Sequence, residues 1–166
     1  MTLLQGLPKA DKLELIIQKA VELGVTTIVP VETERSIVKL DSRKAVERVA
    51  RWQKIAEEAA RQSQRAEIAT IEPVMSVSAA LARAKESGEH RLVLDEEERT
   101  VRLRDQLAAG SFTFLIGPEG GLTRDEVEAA TRAGFIPVTL GPRILRTETV
   151  GLAVLAIVQH VLGDLG

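Results

Sequence analysis

Short aliphatic runs and amphipathic repeats alternate along the chain. Runs suited to buried strands occupy residues 26–31, 91–94, 112–116 and 136–140, and stretches with a period near 3.6 separate them. A shorter strand is expected around residues 68–71. Parallel neighbours need crossovers long enough for a helix, so the alternation predicts an α/β fold with a largely parallel sheet flanked by helices.

The first helix is expected over residues 10–23, ended by Gly24, where a residue without Cβ can take the left-handed conformation. A long second helix is expected over residues 42–64, with Val46, Val49, Ala50, Ala56, Ala59 and Ala60 facing inward. The charges on its other face, among them Arg43, Lys44, Arg48 and Arg51, read as solvated. After the third run, Gly117-Pro118-Glu119-Gly120-Gly121 forms a breaker-rich loop. Thr123-Arg124-Asp125-Glu126 then opens a helix as a capping box, and Gly134 closes it. A second loop, Gly141-Pro142-Arg143, leads into a last helix over residues 148–162. That helix is apolar on nearly every face (Val150, Leu152, Val154, Leu155, Ile157, Val158, Val161, Leu162). Such a surface must be covered all round, by a second subunit or by a sandwich within the monomer.

Composition narrows the class. At 166 residues the chain fits one domain, and folding at that size buries roughly 70% of the surface of the unfolded chain. Apolar residues make up 45% and charged residues 28%, the balance of a globular protein rather than a disordered one. There is no cysteine, hence no disulfide and no thiolate chemistry, which suits the cytoplasm. The start, Met1 to Pro8, lacks the features of a secretory signal, and no run reaches the roughly 18 apolar residues of a membrane span. His90 and His160 stand apart without ligand spacing, so no metal is expected. A net charge of -2 implies that any nucleic-acid contact comes from a local patch. Trp52, Phe112, Phe114 and Phe135 are the only aromatic residues, and they are expected in the core rather than in a platform for stacking bases.

Both glycine-bearing loops follow the carboxyl end of a presumed strand, where open α/β sheets bind ligands. The spacing G-x-x-G-G is neither a dinucleotide fingerprint nor a Walker loop, and no G-x-S-x-G elbow occurs. On their own, these glycines could simply permit tight turns.

Read together, Leu115-Ile116-Gly117-Pro118-Glu119-Gly120-Gly121-Leu122 and Leu140-Gly141-Pro142-Arg143-Ile144-Leu145-Arg146-Thr147-Glu148-Thr149 closely resemble the signature of the RsmE family of RNA methyltransferases. The likeness extends upstream to KLELIIQKAVELGVTTIVPVETERS and RWQKIAEEAARQSQR, and so covers nearly the whole chain. The resemblance implies a SPOUT fold whose C-terminal part forms a trefoil knot, although general topology rules disfavour knots. It also implies a homodimer, S-adenosylmethionine (SAM) as cofactor, and methyl transfer to N3 of a uridine in small-subunit (16S) ribosomal RNA. Family members carry an N-terminal PUA-like RNA-binding domain, which residues 1–166 do not include. The chain alone is therefore expected to bind SAM and to methylate RNA poorly.

On this resemblance, Leu115, Ile116, Gly117, Gly120, Gly121, Leu140, Gly141, Ile144, Leu145, Arg146 and Thr149 are expected around the cofactor. Arg146 is the candidate to stabilise the deprotonated base, because a guanidinium stays charged and offers paired donors. Its alternative is a brace to Glu148 or Glu119. Glu148 is a candidate base, or equally a carboxylate favoured by the helix dipole. Arg35 and the cluster Arg61, Gln62 and Arg65 are expected to contact RNA. Two other readings compete. One is a binding module of the same fold that has lost transfer; the other is a small-molecule enzyme holding a phosphate at the helix that Thr123 opens.

Overall fold

The computed structural model describes residues 1–85 and 90–166. Its centre is a parallel sheet in the order β3-β2-β1-β6-β5-β7, with β4 also paired to β2. The strands are β1 (Thr2–Gly6), β2 (Thr27–Glu32), β3 (Thr70–Ile71), β4 (Met75–Ser76), β5 (His90–Leu94), β6 (Phe112–Ile116) and β7 (Ile136–Val138). The helices are α1 (Lys12–Glu22), α2 (Ser42–Gln62), α3 (Val77–Ala84), α4 (Arg124–Arg132) and α5 (Thr147–Leu162).

Side chains alternate across each strand, so the sheet feeds two cores. Leu3, Ile28, Phe114, Ile116 and Val138 pack against α1, α2 and α5 on one face. Leu4, Val29, Val93 and Leu115 pack against α3 and α4 on the other. Burial on both faces explains why these strands read as continuous aliphatic runs. The four aromatic residues are all buried, as expected.

The expected elements are present, with shifted ends. Ala10 and Gln64 take left-handed backbone angles (φ 54° and 58°), so α1 begins at Lys12 and α2 ends at Gln62. Gly24 (φ 87°) follows α1 in the left-handed conformation that its position requires. The capping box of α4 is complete: the Thr123 hydroxyl accepts from the Glu126 amide while the Glu126 carboxylate accepts from the Thr123 amide. Strand β7 stops at Val138, short of Leu140, because Thr139 bridges to Arg102 instead.

Other features depart from the sequence reading, among them strand β4. The inner face of α2 is built from Trp52, Ala56, Ala59 and Ala60, whereas Val46 is 71% exposed and Ala50 is exposed. The early turns of α2 run beside the start of α1, where Arg48 meets Asp11 and Arg51 meets Glu14, so charges take the place of apolar contacts. Strand β1, for which no element was expected, lies between β2 and β6 at the centre of the sheet. Helix α3, also unexpected, is capped by the Ser76 hydroxyl, which accepts from the Ala79 amide.

Candidate active site

A cleft of about 420 Å³ opens at the carboxyl edge of the sheet, where the loops after β5, β6 and β7 converge. Its walls include Leu94, Ile116, Val138, Leu140, Leu145 and Val150, with Asp95, Glu96 and Glu119 among its polar residues. Of the expected cofactor residues, Ile116, Gly117, Gly121, Leu140, Gly141, Ile144, Leu145 and Arg146 line this cleft. Leu115, Gly120 and Thr149 do not. Leu115 points into the opposite core, Gly120 backs onto the stem of Arg35, and Thr149 is exposed on α5.

The glycines are required by the folding of the loops. A Cβ on Gly117 would lie 2.8 Å from the Gly121 carbonyl carbon, and Gly121 itself has φ +70°. Gly141, at φ +114°, differs: nothing lies within 4 Å of the position its Cβ would take, so it presents bare backbone to open space.

Paired charges hold the loops in place. Asp95, at the end of β5, accepts two hydrogen bonds from Arg124 at the start of α4, at 2.6 and 2.9 Å. Burial opposes the ionisation of Asp95, but the hydrogen bonds from Arg124 prevail and hold its pKa below the usual carboxylate range. Glu98 gathers the Thr100 hydroxyl and the amides of Arg99, Thr100 and Val101, which lowers its pKa to about 2 and organises the loop after β5. Glu119 accepts from the Lys9 amide and pairs with Lys12 at 3.0 Å, and Lys12 also reaches Glu148 at 3.3 Å. The hydrogen bond to Glu119 is the main reason the Lys12 pKa is raised. The Glu119 pKa is lowered against its own burial, through Lys12.

Lys12, Asp95 and Glu96 were not found from the sequence, because only tertiary contacts bring them here. The brace considered for Arg146 is present as a long ion pair to Glu148, and Lys12 pairs more closely with both Glu119 and Glu148. Arg146 is 82% exposed at the mouth of the cleft, and its ion pair with Glu148 is 4.0 Å long. Glu148 sits in the first turn of α5, half-buried.

The residues expected to contact RNA are divided between two places. Arg35 lies beside the cleft, where its Nη1 donates to the Gly120 carbonyl at 2.8 Å. Arg61, Gln62 and Arg65 lie at or beyond the end of α2, near the amino edge of the sheet, away from the cleft. Arg61 and Gln62 are exposed, whereas Arg65 donates to the carbonyls of Val21 and Val25 at 2.8 and 2.7 Å. The amino terminus of α4 is occupied by its own capping box and by Asp125, which leaves little there to attract a phosphate. Among the described residues, no group of three or more His, Asp or Glu side chains is arranged to hold a metal ion, and no helix is long and apolar enough to cross a membrane.

A parallel sheet covered on both faces, with its cleft at the carboxyl edge between three loops, is an architecture that solved methyltransferases of the SPOUT class share. The TrmH/SpoU tRNA modifying enzyme of Aquifex aeolicus superposes with a TM-score of 0.62 over 96% of this chain and 73% of its own, at 13% identity, a likeness of fold alone. Residues 1–159 match the RNA methyltransferase domain family, and the chain belongs to that family. Ribosomal RNA small subunit methyltransferase E of Bacillus subtilis is 41% identical over 93% of this chain and 63% of its own length. The enzyme of that name from Neisseria gonorrhoeae, whose crystal structure has S-adenosylmethionine bound, superposes with a TM-score of 0.89 at 40% identity, over 99% of this chain and 67% of its own. The chain thus spans less than two thirds of the length of the curated Bacillus relative, and the resemblance read from its motifs extends to the fold.

Proposed function

We propose that this chain is the domain that binds SAM and transfers its methyl group to N3 of a uridine in small-subunit ribosomal RNA. The observation that carries the reading is the cleft itself, with apolar walls for a purine, carboxylates for a cation, bare backbone at Gly141, and an exposed guanidinium at the mouth. When bound, SAM supplies an electrophilic methyl group on a sulfonium sulfur. Ile116, Leu140 and Leu145 offer apolar surface to its adenine. Asp95 and Glu119 are held ionised by Arg124 and Lys12, and Glu96 adds a further carboxylate to the cleft for its positive charge.

Transfer to a ring nitrogen is an in-line displacement, so positioning and electrostatics do most of the work. Uridine N3 becomes nucleophilic once its proton leaves. Arg146, close to Glu148 only at 4.0 Å, is available to donate to the O2 or O4 side of the base and to stabilise that anion. Glu148, held by Lys12, is the nearby carboxylate that could receive the proton. Arg35 adds positive charge beside the cleft. Contact by Arg61 or Gln62 requires an RNA that reaches the amino edge, or a second copy of the chain.

The reading includes a homodimer acting in the cytoplasm. Its support is the side of α5 that the chain leaves uncovered, where Ile157, Val161 and Leu162 are exposed. Light scattering should give twice the 18.0 kDa chain mass. A trefoil knot is also part of the reading. The segment leaving β5 flanks the end of β7 on both sides, because the Asp95 amide donates to Val138 O and the Leu103 amide donates to Thr139 O.

The test is methylation with labelled SAM on assembled small subunits, followed by nucleoside analysis. Label recovered as 3-methyluridine supports the proposal. Label on ribose overturns the assignment of the atom, and SAM binding without transfer even after the chain is joined to an N-terminal RNA-binding domain would favour a binding module.

A further inference from the structure

A buried polar pair, Gln5 and Thr147, lies at the floor of the cleft, which Thr147 itself lines. Along β1, Leu3 joins one core and Leu4 the other, so Gln5 falls on the Leu3 face, where an aliphatic side chain is the norm. It is 0% exposed. Its Nε2 donates to the Gly6 carbonyl at 3.1 Å and to Thr147 Oγ1 at 3.0 Å. The Thr147 hydroxyl in turn donates to the Gly117 carbonyl at 2.7 Å. An amide nitrogen only donates, so Thr147 Oγ1 must accept there and give its single proton to Gly117. The chain of bonds therefore has one direction.

This chain joins the end of β1, the start of α5 and the glycine loop after β6. The contact is close: a Cβ on Gly6 would lie 2.7 Å from Pro118 Cδ, so the loop sits directly on β1. Gln5 Oε1 is buried without a partner, a cost that an apolar residue of similar size would avoid. Packing alone thus gives no reason for glutamine here. Thr147 stands between Arg146 and Glu148, so whatever fixes Thr147 also fixes where both of them begin.

We infer that Gln5 and Thr147 are positioning residues, which lock the Gly117 loop to the start of α5 and so set the place of Arg146 relative to bound cofactor. The inference rests on the function proposed above. Neither residue touches the base, and neither takes part in proton transfer.

The test compares the unsubstituted chain with Thr147→Val, Thr147→Ser, Gln5→Met and the double variant Gln5→Met/Thr147→Val. Titration calorimetry with SAM and amide hydrogen exchange are read well below the melting temperature, with core strand amides as the reference that reports a global loss of stability. Thr147→Val and Gln5→Met should each weaken SAM binding about tenfold and speed exchange at residues 120–122 about tenfold. Thr147→Ser keeps the hydroxyl and should stay within about threefold on both. The double variant should be no worse than Thr147→Val, because a chain broken at one link gains nothing from a second break. Unchanged affinity and exchange with only a lower melting temperature, or effects that add in the double variant, would overturn the inference. If the unsubstituted chain shows no SAM binding, the proposed function fails, and exchange at the loop still decides the positioning. Should Thr147→Val not fold, Gln5→Met carries the comparison.

Discussion

The two edges of the sheet use the same residue types for opposite ends. At the amino edge, polar side chains close off helix and strand ends: Arg65 caps the carbonyls of Val21 and Val25, and Gln159 Nε2 donates to the Leu23 carbonyl at 3.2 Å. At the carboxyl edge, Arg124 is bound to Asp95 and Lys12 is shared between two carboxylates, while Arg146 stays exposed. An arginine's task is thus decided by what surrounds it. Arg65, with bare carbonyls in reach, is structural, whereas Arg146, whose neighbouring carboxylates already have Lys12, is the arginine proposed to meet the substrate.

The sharpest way to break this comparison is to remove an arginine from each edge. With the chain joined to an N-terminal RNA-binding domain of the kind expected for the family, Arg146→Ala should lower the rate of methylation of small subunits by about 10² to 10³, the cost of losing one preorganised donor to a developing anion, with SAM affinity within about threefold. Equal losses of rate and of SAM affinity would make Arg146 a cofactor residue instead. Arg65→Ala should do the reverse. By leaving two carbonyls without a charged donor it should cost about 1–3 kcal/mol of unfolding free energy, read from urea denaturation, with SAM affinity unchanged. A weaker SAM complex in that variant would mean that the two edges are coupled.

Much of the fold was legible because its signals are local. Strands buried on both faces, such as β6, appear as continuous aliphatic runs, and the Thr123 capping box marks the start of α4 within four residues. Strand β1 was hidden because Gln5 and Gly6 interrupt its aliphatic run, and its central place comes only from pairing with β2 and β6. Helix α3 was hidden by its shortness and its alanines, which carry little amphipathic signal.

The site divides in the same way. Gly117, Gly121 and Gly141 could be found because backbone that must turn or be approached closely leaves glycine in the sequence. Lys12, Asp95 and Gln5 could not. Each is an ordinary residue in its own segment, and its role comes from partners distant along the chain, as with Gln5 and Thr147, which are 142 positions apart. Arg61, Gln62 and Arg65 show the converse. Their place near an element's end suggested recognition, but that end lies at the amino edge, and Arg65 is spent on carbonyls there.

A crystal structure of the chain with SAM decides whether the cofactor occupies this cleft. Ligand density is expected in the cleft between residues 117–121 and 140–145, with the sulfonium facing the carboxylates and the methyl group directed toward the Arg146 mouth. Density elsewhere with these loops empty, or no complex at millimolar SAM, would contradict that expectation.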